Sequence, residues 1–120
     1  MKRFFLFAVL ALGIGISAQA QQKKPVTVKI QTPGMLCDEC KARVEDYLKY
    51  EDGITKVVAY PRSKYVQVTY FADRTNIENI KTAIANAGYD ADDVKANEDA
   101  YKKLPKDHKR PEDGGHQKKQ

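Results

Sequence analysis

The chain has 120 residues, 42% of them hydrophobic and 31% charged, with a net charge of +5. That length holds one ordinary domain and excludes an enzyme with separate cofactor and substrate domains, while the balance of apolar and charged residues supports a compact core. Two cysteines close at most one bridge, so a disulfide-stapled miniprotein is excluded; the two histidines, His108 and His116, lie roughly 70 residues or more beyond Cys37 and Cys40, the wrong spacing for a zinc finger.

Met1-Lys2-Arg3 opens the chain with two positive charges, Phe4 to Ile16 carries none, and Ala18-Gln19-Ala20 comes next. Basic start, apolar stretch and small-x-small end are the order of a secretory signal peptide, and the apolar stretch is shorter than the roughly 20 residues a membrane span needs. Residues 1–20 are therefore expected to direct the chain across the cytoplasmic membrane, to a periplasmic location. Removing them lowers the charge to +3, and without a concentrated basic stripe nucleic acid is not expected as a partner.

Val26, Val28 and Ile30 alternate with Thr27, Lys29 and Gln31, the period-two pattern of a half-buried strand. Pro33-Gly34 ends it. From Asp38 to Tyr50, Cys40, Val44, Tyr47 and Leu48 share one helical face, and Gly53 closes the helix. Two strands come after it, Ile54–Tyr60 and Tyr65–Phe71, close enough for an antiparallel hairpin. Thr75-Asn76-Ile77-Glu78 reads as a capping box with Thr75 at the helix start. Ile77, Ile80, Ile84 and Ala87 form the apolar stripe of that second helix, which Gly88 stops. Ala91–Ala96, centred on Val94, is expected to form a last short strand. The order β-α-β-β-α-β predicts an α+β, ferredoxin-like sandwich: a four-stranded antiparallel sheet with two helices on one face, over residues 24–96. Residues 97–120 are rich in Lys, Asp, Pro and Gly, with Leu104 their last aliphatic residue, and are expected to be a disordered tail.

The chemistry concentrates in Gly34-Met35-Leu36-Cys37-Asp38-Glu39-Cys40. Residues three apart at a helix start share a face, with Cβ atoms about 5–6 Å apart. Two sulfurs so placed can grip one soft ion, and a near-linear S–metal–S unit spans about 4.6 Å. Monovalent copper heads the candidates, mercury(II) is next, and zinc and cadmium come after them, zinc wanting further ligands. The helix N-terminus favours the thiolates, Asp38 and Glu39 oppose them, and Lys41 and Arg43 offset the acids. The same Cys-x-x-Cys pair in an oxidising compartment also suits a thiol-disulfide redox protein, and a structural disulfide or incidental cysteines are the bland alternatives.

This loop, coming after a strand, resembles the Gly-Met-x-Cys-x-x-Cys metal loop of the heavy-metal-associated domain family, which includes small copper chaperones, modules of copper-transporting ATPases and a periplasmic mercury-binding protein. Gly53-Ile54 with Val57 and Ala59, Val66-Gln67-Val68-Thr69-Tyr70, and Ala87-Gly88-Tyr89 are similar to later family segments, in register. The resemblance implies that Cys37 and Cys40 are metal ligands, Cys37 the more exposed. It implies that Met35 packs beneath the loop and that Tyr89 sits beside it. Leu36 departs from the Thr, His or Ser that many members carry there. The function implied by the resemblance is that of a carrier or scavenger of soft metal ions, not an enzyme and monomeric when metal-free. Its expected partners are the ion itself and a metal-transporting membrane protein or another metal-binding domain.

Overall fold

The structure is a computed structural model that describes residues 24–115; the expected signal peptide and His116 lie outside them. Three strands, β1 (Val26–Gln31), β2 (Ile54–Tyr60) and β3 (Tyr65–Tyr70), form an antiparallel sheet in the order β1-β3-β2. Ile30 pairs with Val66, Val28 with Val68, and Tyr60 with Tyr65. The turn between β2 and β3 closes through Ser63 N–H to Tyr60 O at 3.1 Å, with Lys64 at φ 58°. Beside it the Tyr60 and Tyr65 rings lie 4.9 Å apart, a cross-strand aromatic pair that fixes the register.

The alternation in β3 is complete. Val66, Val68 and Tyr70 are buried, while Tyr65, Gln67 and Thr69 face the partly open side. Thr27 and Thr69 hydroxyls meet across β1 and β3 on that side at 2.9 Å. Two helices, α1 (Asp38–Leu48) and α2 (Ile77–Asn86), contribute Cys40, Val44 and Leu48, and Ile80, Ala83 and Ile84, to one core with Ile30, Val66 and Val68. Helical periodicity meets strand periodicity there, as a two-layer α+β domain requires.

Three expectations need correction. The sheet has three strands among the described residues, not four. Ala91–Ala96 forms only an isolated bridge, Ala91 to Val94, closed by two backbone bonds of 2.9 Å. Its acids explain this. Asp90 accepts from Ala96 N–H at 2.8 Å, and Asp92, at φ 49°, accepts from Gln31 N–H at 2.7 Å through its side chain. The Asp90 bond folds the segment back on itself, as short carboxylates do in turns, and the Asp92 side chain takes the Gln31 N–H that a strand's backbone carbonyl would pair.

The second correction concerns α2, whose N-cap is Asn76, not Thr75: the Asn76 side chain accepts from Asn79 N–H at 2.9 Å. Thr75 instead belongs to the preceding turn, donating its N–H to Phe71 O at 3.1 Å. The third is the tail. Residues 97–115 are laid against the domain. α3 (Glu98–Lys102) starts at an Asn97 cap, and two 3-10 turns come after it at Lys106–His108 and Pro111–Asp113. Asn97 N–H reaches Ala85 O at 2.9 Å, and Leu104 is 4% exposed and joins the core. Arg110 lies 4.5 Å from the Tyr101 ring centroid, and its N–H donates to the Tyr101 hydroxyl at 3.0 Å. Composition hid this docking because its anchors, Leu104 and Tyr101, are isolated apolar residues in a polar stretch.

Candidate metal centre

β1 delivers the chain to the loop, and Thr32 O accepts from Met35 N–H at 3.0 Å to turn it toward α1. Met35 is fully buried in the core, a flexible side chain filling the space beneath the loop. Cys37 is the N-cap of α1. Its backbone is extended, and its sulfur accepts from Cys40 N–H at 3.0 Å, taking the place of the usual hydroxyl or carboxylate. Cys40 sits in the first turn and is fully buried, whereas Cys37 is half-buried. Their Cα atoms are 5.0 Å apart, and the two sulfurs are joined as a disulfide. The strand-to-helix corner therefore brings the pair together, and one sulfur lies nearer the surface than the other.

The basic residues around the pair do not all act as charge offsets. Lys41 Nζ is held by Glu45 and by Ala59 O at 3.1 Å, while Glu45 accepts from Ala59 N–H at 3.3 Å. These two side chains occupy backbone groups on β2, an edge strand, which is where unpaired polar groups invite foreign strands. Arg43 is exposed and acts electrostatically on Tyr89. Tyr89 is 2% exposed, and its hydroxyl has no partner. Burial penalises its phenolate and pushes the phenol up to about 12, with Arg43 pulling weakly the other way.

His108 is the residue that linear spacing set aside. It is 5% exposed, and its Nε2 lies 2.7 Å from Glu39 Oε2, so the tail and the first turn of α1 meet at this side chain. A ring nitrogen of His108 and the sulfurs of Cys37 and Cys40 all lie within 4.8 Å of one another. The apolar residues Tyr101 and Leu104 just before it are the one signal in the sequence that this segment returns to the domain.

A model of the heavy-metal-associated domain matches residues 29–90. The chain belongs to the heavy-metal-associated domain family. Among solved structures it is similar to oxidized MerP from Ralstonia metallidurans CH34, at 28% identity and TM-score 0.54, over 56% of this chain and 93% of that one. It is also similar to the CopZ metallochaperone, at 30% identity and TM-score 0.53, over 55% and 98%. A copper-exporting P-type ATPase of Staphylococcus aureus is 28% identical over 87 residues, which is 72% of this chain and 10% of that protein. The chain thus spans about a tenth of the length of the curated relatives it matches. Cys37 and Cys40, at the junction of β1 and α1, fall within the matched residues of this heavy-metal-associated domain.

Proposed function

We propose that this protein binds a soft metal ion, Cu(I) before Hg(II), between the thiolates of Cys37 and Cys40, and acts outside the cytoplasmic membrane as a carrier or scavenger. The observation that carries the reading is the cysteine pair itself: two sulfurs at the start of one helix, one buried and one half-exposed, on a heavy-metal-associated domain. Thiolates select soft ions, and Cu(I) accepts the low coordination that two sulfurs supply. The amide of Cys40 already donates to Cys37 Sγ, and the same bond, with the helix dipole, stabilises a thiolate there.

The disulfide seen here is the form that cannot take a metal as thiolates. Loading needs an external dithiol, which is oxidised to its own disulfide and gives two electrons and two protons to open the S–S bond into two sulfhydryls; the ion then displaces both protons. Once bound, the ion passes on by ligand exchange. A partner thiolate attacks from the side of half-exposed Cys37, and the bond to Cys37 breaks after the new one forms. Partners of this kind are metal-transporting membrane proteins and other metal-binding domains, consistent with the named relatives. The basic, then apolar, start of the chain supports the extracytoplasmic part of the proposal.

Native mass spectrometry of the reduced chain, kept anaerobic and given Cu(I) with a competing chelator, tests this. One ion per chain is expected, lost in Cys37→Ser and in Cys40→Ser. Failure of the wild-type chain to take up copper, with a dithiol potential near those of known protein oxidants, would overturn it in favour of a redox role.

A further inference from the structure

We propose that the site is three-coordinate, with His108 Nδ1 supplied by the C-terminal segment as a third ligand beside Cys37 and Cys40, and Glu39 holding the ring. The inference rests on the soft-metal reading above and specifies its donor set as two sulfurs and one nitrogen.

Four observations carry it. First, a His108 ring nitrogen and both sulfurs lie within 4.8 Å of one another. Trigonal coordination with bonds of about 2.3 Å to sulfur and about 2.0 Å to nitrogen places ligand atoms about 3.7–4.0 Å apart, so modest closure, with the sulfurs parting on reduction, completes the triangle. Second, His108 is 5% exposed and its Nδ1 is buried without a hydrogen-bond partner. A buried polar atom left unpaired is disfavoured and calls for an explanation. The adjoining cavity, lined in part by Gly34, Tyr89 and His108, measures about 10 Å³, barely the room a single water needs.

Third, the other ring nitrogen is committed. Nε2 lies 2.7 Å from the Glu39 carboxylate, which only accepts. The proton of a neutral ring therefore sits on Nε2, and Nδ1 keeps its lone pair. A carboxylate behind a histidine is the arrangement that orients metal-binding imidazoles in many proteins. Fourth, the segment bearing His108 is anchored. Leu104 packs onto Gly88, where an added Cβ would lie 3.0 Å from Leu104 Cγ, and Arg110 reaches Asp90 at 4.0 Å. His108 is thereby delivered over the mouth of the loop by a segment beyond residues 29–90, the span that matches the family model.

The third ligand changes the exchange step. An incoming thiolate meets a position already filled, so transfer requires His108 to leave, and the ion is retained longer than by the two sulfurs alone. Bond count at the metal is conserved: the partner's sulfur replaces Nδ1, while Nε2 keeps its hydrogen bond with Glu39 throughout.

Copper-edge X-ray absorption on the full chain, reduced and loaded with Cu(I), tests the donor set. Two sulfur neighbours and one nitrogen are expected, and two sulfurs alone in His108→Ala, with apparent Cu(I) affinity lowered about tenfold or more in a chelator competition. Glu39→Ala is expected to lower affinity by a smaller factor while retaining the nitrogen. Because His108→Ala could release the segment, 15N chemical shifts of the wild-type imidazole give an independent reading: Nδ1 is expected to shift on Cu(I) addition, with Nε2 still protonated. An unshifted Nδ1, or an unchanged sulfur-only shell in wild type, overturns the third ligand. If the cysteine variants still lose copper in that event, the two-thiolate reading stands without it; if they keep copper, that reading falls as well.

Discussion

Replacing Leu104 by alanine tests whether the C-terminal segment is part of the folded domain. Leu104 is 4% exposed and belongs to the core cluster, lying over Gly88 in the space a side chain there would need. Burying a leucine contributes about 1.5–3 kcal/mol from transfer alone, and truncating one inside a core costs about 2–5 kcal/mol once the cavity is included. The lower part of that range applies, because residues 98–113 can detach rather than hold an empty space, which caps the loss at the free energy of their docking. The expected destabilisation is about 2–3 kcal/mol, on the order of 10–20 °C in Tm for a domain of this size. Urea and thermal denaturation of the oxidised chain, followed by circular dichroism, measure it. A change below about 0.5 kcal/mol, the value for an ordinary surface position, would refute the docking and restore the disordered tail that composition predicts.

Tyr89→Phe removes a buried hydroxyl that has no partner, so it should be neutral or stabilising by about 1 kcal/mol; a loss of that size in the urea midpoint would reveal an unseen bond. The same residue sets an alkaline limit. Its phenol is raised from 10.0 to about 12 in the folded chain, so its contribution is complete below pH 10 and fades as the pH climbs toward 12, where the unfolded chain ionises first. The stability difference between wild type and Tyr89→Phe should therefore vary with pH only above 10. Gly53→Ala should cost more than about 1 kcal/mol, because φ is +84° and the new Cβ would meet Arg74 Cβ at 2.8 Å; an unchanged Tm would contradict that geometry. Asn76→Ala should cost about 1 kcal/mol through the lost cap and exceed Thr75→Ala, and the reverse order in denaturation would return the cap to Thr75.

Much of the fold was legible because its signals are local. Period-two alternation in Val26–Gln31 and Tyr65–Tyr70, helical spacing from Cys40 to Leu48, and the stop at Gly88 each act within a few residues, whereas the first helix already ends at Leu48, ahead of the expected stop at Gly53. The cysteine pair was legible for the same reason, since three residues of spacing at a helix start fix proximity. The features that stayed hidden were set by competition or by distance. Asn76 and Thr75 both suit a cap, and only the course of the chain from Phe71 decides between them. Ala91–Ala96 has a strand's central valine, but Asp90 folds it back at Ala96 and the Asp92 side chain takes the Gln31 N–H that a fourth strand would pair. His108 is far from the cysteines along the chain, and linear spacing gives no sign of it at the site. Its return depends on Leu104 and Tyr101 finding the core, a long-range contact that periodicity does not register.

The packing of Leu104 on Gly88 bears on how this protein should be handled at the bench. A fragment cut at the borders of the matched region, residues 29–90, would keep both cysteines and most of the sheet. It would also strip away the lid that seals the second helix and the imidazole beside the sulfurs. Metal titrations on such a fragment would describe a different binding pocket from the one the intact chain presents.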